Sequence, residues 1–186
     1  MKQQHKLFNV EDSAIVFINH QPQMLFGVAS MDRVTLINNV TLIAKVANEY
    51  GVPVILTSVE TEFLNGCVWS QLLDVFPSQQ VIERTSMNPW DSMDFRKAIE
   101  ATKRKNIILT GLWTEVCVAW PAIEMLGAGY NVYVVEDCCG ATSPAAHEAA
   151  LARMVQAGAV RLTTIPALLE WRHDWKHYNV LMGLLK

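Results

Sequence analysis

The sequence predicts an α/β protein, a three-layer α/β/α sandwich around a six-stranded, mostly parallel, Rossmann-like sheet. Three observations carry this. Short apolar runs rich in Val, Ile, Leu and Thr alternate with stretches of helical character, the order expected of a parallel sheet covered by helices on both faces. Several helical stretches stop at a glycine that leads into the next apolar run, as at Gly51, Gly129 and Gly158, because glycine tolerates the conformation that ends a helix. The 186 residues suffice for one full core, and no repeat, low-complexity tract or linker divides them, so residues 1–186 are read as a single domain.

In chain order, Ala14–Asn19 is the first strand, an apolar run broken by polar residues at its end. Met31–Tyr50 is a long helix closed by Gly51, and Pro53–Ser58 is the second strand. Ser70–Phe76 is a short helix, Gln80–Glu83 the third strand and Ser92–Thr102 the next helix. Asn106–Gly111 is the fourth strand, running directly into the helical stretch Glu115–Gly127. Asn131–Glu136, Pro144–Gly158 and Val160–Thr164 complete the alternation, and a last helical piece begins near Pro166. In an open doubly wound sheet, sites form beyond the carboxyl ends of the strands where strand order reverses. With the order 3-2-1-4-5-6, the first and fourth strands are neighbours there. Asn19-His20-Gln21, Arg84 and Cys117 then meet at one end of the sheet.

Composition narrows the function classes. Hydrophobic residues make up 51% of the chain and charged residues 18%, apolar enough to predict buried contacts between subunits of a homo-oligomer. No apolar run approaches the ~18 residues of a membrane span. The N-terminal Met-Lys-Gln-Gln-His-Lys is not followed by the apolar stretch of a signal peptide. A net charge of −3 offers no basic footprint for nucleic acid. The four cysteines, Cys67, Cys117, Cys138 and Cys139, show no CxxC spacing, which predicts reduced thiols in a cytoplasmic protein. The chain has no GxGxxG opening a helix after the first strand, no phosphate loop and no GxSxG elbow, so dinucleotide binding, NTP hydrolysis and serine-hydrolase chemistry lose ground.

Cys117, in Gly-Leu-Trp-Thr-Glu-Val-Cys-Val-Ala-Trp-Pro (111–121), is the strongest functional candidate. With Thr114 as N-cap, Cys117 falls in the first helical turn, where the helix dipole and unpaired backbone N–H groups favour the thiolate. Pro121 cannot donate to the Cys117 carbonyl four residues back, which predicts an irregular turn. The competing reading is a small buried hydrophobe. Arg84 is either a surface partner of Glu83 or Asp91 or a fixed cation for a thiolate or carboxylate; its pKa is too high to shuttle protons. Asn19-His20-Gln21-Pro22-Gln23 is either an ordinary strand exit or a polar site wall. Asp137 is read as a cap or brace after the fifth strand, and His147 as a packing or hydrogen-bonding residue. Trp171, His173, Trp175 and His177 fit no zinc spacing and read as an aromatic docking or interface segment.

The segments Ala14–Gln21, Thr57–Gly66, Arg84–Phe95, Gly111–Ala122 and Arg153–Gly158 together resemble the isochorismatase-like cysteine hydrolase superfamily, in particular its YcaC-type branch. The resemblance covers nearly the whole chain, and Thr-Glu-Val-Cys-Val after a strand and a glycine is its most specific part. It implies an Asp–Lys–Cys triad that attacks an amide through a thioester, splitting one hard step into two. It implies oxyanion donors at the Cys117 and Trp113 amides and a non-proline cis bond at Leu112–Trp113. Two positions depart from the family pattern: Asn19 stands at the usual Asp and Arg84 at the usual Lys. A neutral amide is no general base, so Glu60 or His20 is expected to replace it. The metal ligands of nicotinamidases have no counterpart in Ser58–Gly66, so neither metal nor cofactor is expected.

The resulting expectation is a cysteine hydrolase of a small amide or related C–N bond, with Cys117 as nucleophile, Arg84 as cation and Asn19 orienting substrate or thiol. Its pocket walls are His20, Gln21, Asn88, Trp90 and Trp120. A second reading is a catalytically impaired small-ligand binder or oligomeric scaffold, motivated by Asn19. A third is a redox protein pairing Cys117 with Cys138 or Cys139.

Overall fold

The computed structural model of the chain describes residues 7–177 and Gly183. The first six residues, read above for a leader, lie outside the described residues. The strands are β1 (Ser13–Ile18), β2 (Val54–Val59), β3 (Val81–Arg84), β4 (Asn106–Leu112), β5 (Asn131–Gly140) and β6 (Val160–Leu162). They form one sheet in the order β3-β2-β1-β4-β5-β6, and every neighbouring pair is parallel. The expected order is therefore the observed one, with β1 and β4 side by side at the reversal. All residues of β1 and β4 are buried, as suits the two central strands of a covered parallel sheet.

The helices are α1 (Pro22–Phe26), α2 (Arg33–Glu49), α3 (Ser70–Val75), α4 (Met93–Ala101), α5 (Ala119–Gly127), α6 (Pro144–Ala157) and α7 (Thr164–Trp171). α2 packs with α3 and α7 on one face of the sheet, while α5 and α6 pack together on the other. Side chains fix these starts. Asp32 accepts from the Thr35 N–H at 2.7 Å, so α2 opens after Asp32 rather than at Met31. Ser92 caps α4 through the Phe95 N–H, and Ser143 caps α6 through the Ala146 N–H. Gly158 ends α6 at φ 114°, the left-handed conformation anticipated from its position.

Two elements depart from the sequence reading. Pro22–Phe26 is a short helix with Pro22 at its first turn, where the missing N–H costs nothing. β5 runs on to Gly140 instead of stopping at Glu136. Between the pairs Leu109–Val134 and Gly111–Cys139, β4 advances two residues and β5 five. This irregularity lets β5 resume pairing, so Asp137, Cys138 and Cys139 belong to the sheet rather than to a following loop.

The core lies between sheet and helices on both faces. On the α7 side, buried Trp171 donates its indole N–H to Ser13 Oγ at 3.0 Å. Trp171 is thus a core residue, while Trp175 is 73% exposed, which divides the C-terminal aromatic segment between packing and surface. Among the described residues no cluster of His, Cys, Asp and Glu forms a metal site. Among them, no helix is long and apolar enough to cross a membrane.

Candidate active site

Three chain segments converge at the carboxyl end of β1, β3 and β4. Asn19 directly follows β1 at φ 55°. Asparagine tolerates this left-handed conformation better than most residues because its short polar side chain can bond locally. Its N–H donates to the Thr57 carbonyl and its carbonyl accepts from the Gln21 N–H, so the backbone there is fixed on both sides. Arg84 closes β3, in register with Val59 of β2. Its Nη2 donates to Asn19 Oδ1 at 2.6 Å, and its Nη1 donates to the Ser86 carbonyl. Asn19 is fully buried and Arg84 is only 6% exposed, so this contact is desolvated.

Cys117 enters from β4. The chain leaves Leu112 through a cis peptide bond to Trp113, as the family resemblance implied, and passes into a π-helical turn, Thr114–Val118, before α5 begins. The irregular turn expected from Pro121 is therefore present, and π turns often mark functional sites. Gly111 lets the turn close on β1: a Cβ there would lie 2.8 Å from Ile18 Cβ and 2.9 Å from Val118 Cγ2. Thr114 is not the N-cap. It is the first residue of the turn, Trp113 precedes it without a side-chain cap, and the Thr114 hydroxyl bonds His147 Nδ1 at 3.0 Å instead. The Cys117 N–H, one of the two expected oxyanion donors, donates to the Trp113 carbonyl at 3.0 Å.

Electrostatics at the sulfur differ from the helix-start expectation. Burial pushes the Cys117 thiol up, and this outweighs the stabilisation of the thiolate by the Arg84 guanidinium and the backbone around Trp113. Glu115 pushes it slightly further up. Burial lowers Arg84, and the Cys117 thiolate opposes that change. Arg84 nevertheless stays a cation at neutral pH, because a guanidinium ordinarily loses its proton only far above that range. The site is a neutral-leaning thiol beside a permanent cation.

The remaining expected site residues separate by face and by hydrogen bonding. His20 is 1% exposed, stacked edgewise between Phe17 and Trp69, with neither ring nitrogen in a well-formed hydrogen bond. Burial lowers its pKa to about 3, against a weak opposing pull from the Cys138 backbone. It is a neutral core residue and neither a pocket wall nor a base. Gln21 is also corrected: its amide donates to the Val59 and Gly66 carbonyls and accepts from the Val59 N–H, so it clasps the loop after β2 instead of facing a ligand. Asn88 spends its side chain on the turn Pro89–Asp91, accepting from the Trp90 N–H and donating to Asp91. Trp90 packs edgewise on Phe95 and on Tyr130, and Tyr130 precedes β5 at the opposite end of the sheet, so Trp90 belongs to the helix layer. Trp120 lies on the surface of α5 at 38% exposure. Glu60 stays with the site: it follows β2 at φ 50°, and its N–H donates to the Arg84 carbonyl at 3.2 Å.

Other residues support the site without having signalled themselves in sequence. Glu115 accepts from both the N–H and the hydroxyl of Thr142, tying the π turn to the start of α6. The Trp113 indole donates to the Met24 carbonyl, and its ring lies on Gly27, where a Cβ would come within 2.8 Å of Cζ2. These contacts join residues distant in sequence, so no local spacing reports them. Asp137 is the brace expected of it, but to α7: its Oδ1 accepts from the Thr164 N–H and hydroxyl. Cys138 Sγ contacts the Thr164 hydroxyl at 3.1 Å, and both Cys138 and Cys139 are fully buried. All four cysteines are free.

Residues 13–166 match the isochorismatase domain, spanning every strand and the beginning of α7. The chain belongs to the isochorismatase family. Among curated isochorismatase relatives, it is 34% identical to the probable hydrolase YcaC of Escherichia coli K12 over 174 residues, covering 93% of this chain and 83% of that protein. Among solved isochorismatase folds, YcaC from Pseudomonas aeruginosa, determined with hexane-2,5-diol and covalent acrylamide, superposes with a TM-score of 0.94 at 34% identity, over 99% of this chain and 92% of that one. The YcaC gene product of E. coli, described as an octameric hydrolase of unknown specificity, superposes equally well at 32% identity, over 99% and 91% of the two chains. As a member of the isochorismatase family with these relatives, the protein is a hydrolase of the YcaC type.

Proposed function

We propose that this protein is a cofactor-independent cysteine hydrolase that cleaves a small amide or related C–N bond through a thioester on Cys117. The observation that carries the reading is the buried Arg84 guanidinium, held by Asn19 at 2.6 Å and acting on the Cys117 sulfur. A fixed cation beside a thiol on a strand–turn–helix junction is the arrangement that activates a cysteine nucleophile. The covalent acrylamide carried by P. aeruginosa YcaC is consistent with a reactive group in this branch.

The sulfur attacks the carbonyl carbon, and the carbonyl oxygen takes the negative charge. The Trp113 amide receives that oxygen, with the Cys117 N–H sharing its existing bond to the Trp113 carbonyl. The C–N bond breaks, and the leaving nitrogen carries off the proton that the thiol brought. Water then adds to the thioester, releases the acid and restores the thiol. Asn19 cannot relay the thiol proton, and His20 is removed from consideration by burial. Glu60 is left as the side chain of the two expected substitutes that can assist. The chain assembles as a homo-oligomer, as the E. coli YcaC octamer suggests for an apolar chain of this branch.

The net upward displacement of the Cys117 thiol favours a second reading, a catalytically impaired ligand binder. Ammonia release from a panel of small amides separates the two. Turnover by the parent that Cys117→Ala abolishes supports the hydrolase. A silent parent that gains turnover only as Asn19→Asp supports the impaired binder.

A further inference from the structure

We infer that the Cys117 site selects a small anionic substrate, one carrying a carboxylate beside the scissile carbon, received by Arg84 Nε and Asn19 Nδ2. The inference rests on Cys117 being the nucleophile and adds the class of molecule it attacks.

A guanidinium only donates, so the amide oxygen of Asn19 must be the atom 2.6 Å from Arg84 Nη2. That fixes the amide orientation and leaves Nδ2 as the free end. Asn19 Nδ2 and Arg84 Nε are both buried without a partner. Two unpaired donors therefore accompany one buried positive charge, and unpaired buried donors are costly. The acceptors that Arg84 does have, the Ser86 carbonyl, Asn19 Oδ1 and the Cys117 sulfur, carry no charge while Cys117 is a thiol.

Charge balance points the same way. While Cys117 is a neutral thiol, Arg84 has no contacting anion: the ion pairs among the described residues involve Arg161 and Arg172, not Arg84. The surrounding carboxylates do not fill the gap. Asp91 is exposed, acts on Arg84 only through space and accepts from Asn88. Glu115 gives one oxygen to Thr142, and Glu60 approaches Arg84 through its backbone. An aspartate at position 19 would have supplied the missing negative charge internally. With Asn19 in its place, a substrate carboxylate supplies it, its two oxygens matching the two orphaned donors. As the sulfur attacks, its charge moves to the carbonyl oxygen, and Arg84 then faces the carboxylate alone. The 2% exposure of Cys117 requires the substrate to be slim.

The test uses the intact protein and two alkylating probes of nearly equal size, neutral iodoacetamide and anionic iodoacetate, at one pH and ionic strength. In each case the thiolate electron pair forms the new S–C bond and iodide leaves. Rates are read at Cys117 by peptide mass spectrometry, with exposed Cys67 of the same chain as internal reference. The expected iodoacetate-to-iodoacetamide rate ratio at Cys117 is at least tenfold above that at Cys67. In Asn19→Asp, and independently in Arg84→Gln, it falls to the Cys67 value. A wild-type ratio at Cys117 equal to or below that at Cys67 overturns anion selection while leaving the nucleophile standing. Labelling of Cys117 by neither probe removes both. The wild-type comparison decides the matter even if a variant fails to fold.

Discussion

Cys117, in the turn after β4, and Cys138, near the end of the neighbouring β5, are both buried and face opposite chemical fates. Cys138 meets the Thr164 hydroxyl on α7, and the neighbouring Asp137 carboxylate accepts from the same hydroxyl. Burial drives its thiol well above the ordinary range, and Cys139 is pushed up to about 12. Cys117 is buried almost as deeply, yet Arg84, itself left with an unpaired Nε, pulls against the same desolvation. Burial alone thus produces an inert thiol; burial beside an unneutralised cation produces a candidate nucleophile. The same contrast separates Gln21, whose amide is fully hydrogen-bonded, from Asn19, whose amide is half spent.

That contrast can be broken in several places. The largest effect is expected from Cys117→Ala, which lowers amide turnover by on the order of a thousandfold or more, whereas Cys138→Ala leaves turnover within about threefold; steady-state ammonia release checks both. Next is the His20 core. Its folded pKa of about 3 lies below the reference 6.5, so both states are neutral above 6.5 and the unfolded chain alone takes a proton below it. Stability is therefore complete above pH 6.5 and falls towards pH 3. At pH 4 the loss amounts to about 3 kcal/mol, and urea unfolding of His20→Phe shows a correspondingly smaller loss between pH 7 and pH 4. Gln21→Ala takes the side-chain acceptor from the buried Val59 N–H and a donor from the Gly66 carbonyl, while Asn65 still serves the Val59 carbonyl; it lowers unfolding free energy by about 2 kcal/mol, read from the urea midpoint. The smallest effect expected is from Arg84→Gln, which removes the cation that favours the thiolate, raises the Cys117 pKa and slows iodoacetamide labelling at pH 8.

Much of this architecture was legible in the residues. The β1 run Ala14-Ile15-Val16-Phe17-Ile18 and the β4 run Ile107-Ile108-Leu109 are what a doubly covered parallel strand requires, and the glycines at 51, 129 and 158 end helices or turns with positive φ. The strand order follows from such a fold and placed Asn19, Arg84 and Cys117 together. The side-chain directions were not legible. Asn19, His20 and Gln21 are consecutive, but the left-handed turn at Asn19 sends one side chain to Arg84, one into the aromatic core and one to the loop after β2. Adjacent polar letters do not distinguish these destinations. Thr114 reads as a cap in isolation; only the packing of α6 on the π turn gives its hydroxyl another partner. The length of β5 was hidden because its extra residues are absorbed by a register shift that depends on β4.

The most direct measurement is the pH dependence of iodoacetamide labelling, resolved for Cys117, Cys138 and Cys139 in the folded wild-type protein. If Arg84 makes Cys117 the one buried reactive thiol of the three, Cys117 is labelled with a rate that rises as pH increases through the ordinary thiol range, while Cys138 and Cys139 stay unlabelled until the protein unfolds. Equal inertness of Cys117 and Cys138 across that range would contradict the account.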